Sequence, residues 1–219
     1  RFIDTFTYQW LGLAEIKNAL PEEKNFGTFH VKNFYDAYQY EVFTFMQHLF
    51  SNNLPIKELV TADYSFVNED LKDFYNGGGS REYYVAGRTE IADVNREEFK
   101  KHVFSNAKRG GLLAQGAFLT ATGNGVDGLP IKRSTWILEN LLDSKLPPPP
   151  EDIDLTQFES KHSTSLKEKL ESHSQNPACY SCHKRIDPLA VIMDSYNTMG
   201  GHNNSFQAER VMINGEKIS

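Results

Sequence analysis

The chain has 219 residues, of which 39% are hydrophobic and 24% charged, as in an ordinary globular protein of one or two domains. Its net charge of -6 argues against nucleic-acid or anionic-membrane partners. No apolar run approaches the roughly 18 residues that a membrane-spanning helix needs.

In chain order, Phe2, Phe6, Trp10 and Leu13 recur at helical spacing from the outset, and Arg1 is not an initiating methionine. The sequence therefore reads as part of a longer precursor. Residues 1 to 75 read as helical, with Phe34, Tyr38, Val42, Phe45 and Leu49 on one apolar face of a long helix broken at Asn52, Asn53 and Pro55. Asn68 is an expected N-cap for a short helix that ends at Gly77, Gly78 and Gly79. Glu82 to Val85 and Lys100 to Phe104 are candidate strands, a short β-hairpin between two helical parts.

Leu112 to Leu119 reads as a short apolar helix, followed by a loop from Thr122 to Gly128. Ile131, Thr135, Leu138 and Leu142 then form a stripe on another helix, which Pro147 to Pro150 leaves as polyproline II. Ser165 and Glu168 fit a capping box for a helix carrying Leu166, Leu170 and His173, expected to end at Asn176-Pro177-Ala178. The expected fold is mainly α: a helical N-terminal domain over 1–106 packed on a cytochrome-c-like domain over 107–205. Residues 206–219 read as the start of a further domain, with Val211 to Ser219 as a strand or hairpin.

The chemistry concentrates at Cys179-Tyr180-Ser181-Cys182-His183. The two cysteines are the whole complement, and a disulfide closing so short a loop would constrain little of the unfolded chain. Two cysteines and a following histidine at this spacing is the attachment pattern of a single covalent haem c. One helical turn places both thiols along one porphyrin edge to add to the vinyl groups, and brings His183 under the iron as an axial ligand. From composition, the pattern should arise by chance in roughly one such chain in a thousand, which favours the haem reading. A zinc site would recruit His173 as a fourth ligand in a cramped arrangement, and a redox dithiol would want a βαβ context that is not visible.

Around the motif, the Pro188 carbonyl is a candidate acceptor for the other ring nitrogen of His183. Ile186, Leu189, Val191 and Ile192 would wall a pocket, and Arg109, Arg133, Lys184 and Arg185 are candidate donors to haem propionates. Met193, Met199, His202 and His173 are candidates for the sixth iron position, although His173 feeds into the attachment turn and is expected not to bind iron.

Several stretches resemble a secreted planctomycete-type cytochrome family whose tandem domains are of unknown function. They are Arg109-Gly110-Gly111-Leu112-Leu113-Ala114-Gln115, Asn124-Gly125-Val126-Asp127, Trp136 to Leu142 with the proline run, and Pro177 to Leu189. Gln9-Trp10-Leu11-Gly12-Leu13 and Ala62 to Glu69 are similar to the domain that precedes the haem domain in that family. The chain departs from the pattern at Ala190-Val191, where members have Gly-Phe, and at Asp194 to Asn197, where they have Glu-Asn-Phe-Asp. The resemblance implies a large exported protein, periplasmic or extracellular, with further domains and sometimes another haem. Its redox partner would be another protein or another haem domain. Electron transfer is the expected role. A haem-dependent oxidoreductase acting on a small molecule or carbohydrate, or a haem-stabilised scaffold, are the alternatives. No Ser-His-Asp set, paired catalytic carboxylates or phosphate-cradling loop stands out.

Overall fold

A computed structural model describes residues 1–78, 91–105, 108–147, 170, 177–202, 212–213 and 216–217. The expected strand at Glu82, the capping box at Ser165 and His173 lie outside these residues, as does the proline run beyond Pro147. The fold is mainly α. Residues 1–128 and 196–203 form one unit, and residues 129–195 and 204–219 a second. Packing thus divides the chain at 128/129, later than the 106/107 division suggested by sequence texture.

The first unit is built around the long helix its apolar stripe foretells. Helices α1 (Phe2–Trp10), α2 (Glu23–Val31) and α3 (Phe34–Ser51) pack together, and Phe34, Tyr38, Val42, Phe45 and Leu49 are all buried on α3. Asn33, in a left-handed conformation, caps α3 by accepting from the Asp36 amide. The α1 stripe is helical as expected, yet Phe2 is 78% exposed, and its ring stacks on Phe6, which stacks in turn on Trp10.

After the short helix α4 (Glu58–Thr61) comes a strand, β1 (Tyr64–Val67), inside a region expected to be wholly helical. It pairs antiparallel with β2 (Lys100–Val103) in the register Tyr64↔Val103 to Val67↔Lys100. The second of the two expected strands is therefore present as β2, paired with a strand distant in sequence, while the first, at Glu82 to Val85, lies outside the described residues. Composition and burial on both faces explain β1: Tyr64, Ser65 and Val67 are buried, and the run is rich in aromatic and β-branched residues. Asn68 then caps α5 (Glu69–Asp73) through the Leu71 amide, and a single π-turn over Phe74–Gly78 ends with Gly77 at a φ of 98°.

Helix α6 (Gly116–Ala121) is buried along its whole length. At Gly116 a Cβ would overlap the Tyr38 ring, so glycine lets α6 approach α3 closely. Gly110, at a φ of 106°, likewise lies where a Cβ would overlap the Ala62 carbonyl oxygen.

In the second unit, α7 (Pro130–Asn140) packs on α8 (Pro177–Met193). The buried face of α7 is Arg133, Ser134, Ile137 and Leu138, rotated from the expected stripe, and Leu142 is exposed. Ranking by hydropathy missed this face because its first two members are polar. Farther on, β3 (Met212–Ile213) and β4 (Glu216–Lys217) pair antiparallel, as the sequence suggests for that segment. No helix among the described residues is long and apolar enough to cross a membrane.

Candidate functional site on helix α8

Pro177 opens α8 at the first helical position, where a missing N–H costs nothing. The helix expected to end there lies, apart from Leu170, outside the described residues. Pro188 lies inside α8 rather than terminating a short turn. Without an N–H it cannot bond the carbonyl of Lys184, so the helix must be held there by packing. Ile186 and Ala190, on either side of Pro188, are buried, as are Cys179 and Met193 farther along the helix. At 3.6 residues per turn these four fall, with Cys182 and His183, within an arc of about 100°. The opposite side carries Tyr180, Ser181, Lys184 and Ile192, all exposed.

The C-terminal end of α8 is fixed by Arg133. Its fully buried guanidinium donates from Nη1 to the Met193 carbonyl at 2.9 Å, a cation against the negative end of a helix. Asp194 follows, half-buried. Burial raises its pKa above the usual carboxylate range, and the Arg133 charge works in the other direction.

The two thiols and one imidazole therefore lie on one face over little more than a turn. Neither cysteine is paired in a disulfide; Cys179 is buried and Cys182 half-buried. Nδ1 of His183 stands 2.7 Å from Oδ1 of Asp187, and each side chain is 18% exposed. With Nδ1–H donating to this carboxylate, the ring presents its lone pair at Nε2. The acceptor at His183 is thus Asp187, one residue before the expected Pro188. Sequence reasoning looked for a backbone acceptor at Pro188 and so missed Asp187; with the helix running through Pro188, Asp187 is the i+4 neighbour of His183. Chemically, the face offers two soft nucleophilic sulfurs and an oriented imidazole.

The remaining candidates have the following surroundings. Met193 sits on the same helix as His183 ten residues on, about 15 Å along the axis, so it cannot face that histidine across one metal centre. Arg185 is half-buried on α8. Met199 and His202 belong to the first unit. There the Met199 carbonyl accepts from the Tyr38 hydroxyl, and His202 packs edge-on against Tyr196. Burial and then the Lys108 and Arg109 charges lower the pKa of His202. Arg109 has another task in that unit: buried over the Tyr75 ring at 4.1 Å, it donates to the Ala114 and Gly200 carbonyls at 2.9 and 2.6 Å. Both of its terminal nitrogens thus donate to backbone, as a loop clamp requires. Among the described residues no three of His, Cys, Asp and Glu gather as metal-binding groups do.

No curated protein and no solved structure matches the chain. Residues 109–205 match the family model PSCyt3 and residues 1–76 the family model PSD4, each described as a protein of unknown function (DUF1588 and DUF1592), and by name both are planctomycete-type, cytochrome-related families.

Proposed function

We propose that the second unit is a c-type cytochrome module. In this reading Cys179 and Cys182 hold one haem through thioether bonds, and His183 ligates its iron through Nε2. The observation that carries the reading is the ordered imidazole: Asp187 engages Nδ1 at 2.7 Å, beside two cysteines on the same helical face that form no disulfide. This donor set fits the group. The thiols supply the nucleophiles for two adjacent vinyl groups, and the carboxylate holds the histidine in the tautomer that presents Nε2. Bound there, the haem would supply a one-electron couple at iron.

The chain's own contribution is positional. Helix α8 fixes the two sulfurs and the imidazole relative to one another, and Arg133 secures the far end of that helix through Met193. The role that follows is electron transfer within an exported multidomain protein, toward a partner redox protein or a second haem domain. The cytochrome-related names of the matched families support this role. Export is supported by the chemistry, since haem c is attached outside the cytoplasm.

Spectra test the reading. In alkaline pyridine, the reduced protein should give an α-band shifted to the blue of protohaem, because both vinyl groups are saturated. A band at the protohaem position, or none, would contradict the assignment. In the untreated protein, low-spin six-coordinate spectra would favour a carrier, and an exchangeable sixth position would favour the oxidoreductase alternative.

A further inference from the structure

We propose that Asp187 sets the electron-donating strength of the axial histidine and holds the reduction potential of the centre low; this rests on the reading that His183 ligates haem iron. The basis is the pair itself. His183 and Asp187 are i and i+4 on one helix, so the backbone of α8 presets their approach. The 2.7 Å separation is that of a charge-assisted hydrogen bond, and 18% exposure on each side limits screening by water.

A carbonyl acceptor at Nδ1 would offer a dipole. A carboxylate offers a full negative charge, which draws the Nδ1 proton toward itself and pushes electron density to Nε2. A ligand with imidazolate character favours the more positive iron, so the ferric state gains over the ferrous and the potential falls. Asp187 touches neither iron nor porphyrin in this scheme. It is a positioning residue that acts through His183.

The test uses the full chain, matured with haem, as wild type, Asp187→Asn and Asp187→Glu. Asparagine keeps the shape and an acceptor oxygen but removes the charge; glutamate restores the charge on a longer arm. Spectroelectrochemical titration should give a midpoint shifted upward in Asp187→Asn and returned toward wild type in Asp187→Glu, with haem content equal in all three. A role confined to folding would alter loading or melting and leave the midpoint in place. A midpoint in Asp187→Asn equal to wild type overturns the proposal and leaves haem attachment intact. If Asp187→Asn fails to load, the iron–imidazole stretch of the ferrous wild type after CO photolysis decides. A frequency in the range of carboxylate-bonded histidines supports the proposal, and one in the carbonyl-bonded range overturns it. Wild type carrying no covalent haem would overturn the cytochrome reading, and this inference with it.

Discussion

Glu41 is a carboxyl group in surroundings at odds with its charge. It is wholly buried on α3, accepting from the Ser65 hydroxyl at 2.8 Å and the Tyr75 hydroxyl at 2.7 Å. Tyr75 in turn accepts from the Gly116 amide, and Ser65 from the Gln115 side chain, so one carboxylate ties α3 to β1, the π-turn and the start of α6. Burial raises its pKa from 4.5 to about 7, against the lowering effect of those bonds and of Arg109. Between these two values the folded state holds a proton that the unfolded chain has released. The stability this provides is complete below about pH 4.5 and is lost as pH rises through 7. A shift of this size corresponds to about 3 kcal/mol. Urea unfolding of wild type and Glu41→Gln at pH 4.5 and pH 8 should show the wild type losing about 3 kcal/mol more than the variant over that interval. Parallel losses would show that Glu41 does not titrate in this window. The sequence places Glu41 three residues from Tyr38 and one before Val42, within the buried stripe; a carboxylate there is the signal of an internal network. By contrast, Cys179, Cys182 and His183 stood out from spacing alone, because their chemistry is local. Asp187 did not, because its meaning depends on α8 continuing through Pro188.

At the scale of elements, periodicity predicted helices where one face is apolar and failed where burial is polar. The α3 stripe is buried residue for residue, whereas the α7 face turned because Arg133 and Ser134 are satisfied by hydrogen bonds, Arg133 to Met193 and Ser134 to Pro130. Strand β1 was hidden because its partner lies more than thirty residues away, and a pairing so distant leaves no local signal. Caps were more legible, since an Asx cap is written in a few adjacent residues. Asn68 is buried and its side chain accepts from the Leu71 amide at 3.0 Å at the junction of β1 and α5. Asn68→Ala should lower the unfolding free energy by about 1 kcal/mol, while Asn68→Asp, which keeps the acceptor, should cost less. Equal losses in the two variants would show that the side-chain oxygen is not what holds this helix start.

For the whole molecule, the two family matches and the two packing units describe different divisions: the PSCyt3 match begins at residue 109, but 109–128 pack with the N-terminal elements. The loop from Arg109 explains this. Gly110 and Gly111 take positive φ angles against the backbone of Val60 and Ala62, and Arg109 clamps Ala114 and Gly200 within the first unit. Sequence texture changes at that loop while the packing does not, so composition located the motif better than the boundary. Everything proposed about function depends on one chemical fact, covalent attachment at α8. The protein, produced in a host that exports and matures c-type cytochromes, should be denatured in acid acetone and its peptides weighed. The account predicts that the colour stays with the polypeptide and that the peptide containing Cys179 and Cys182 carries the mass of one haem. Extraction of the haem into the acetone, or an unmodified cysteine peptide, would contradict it.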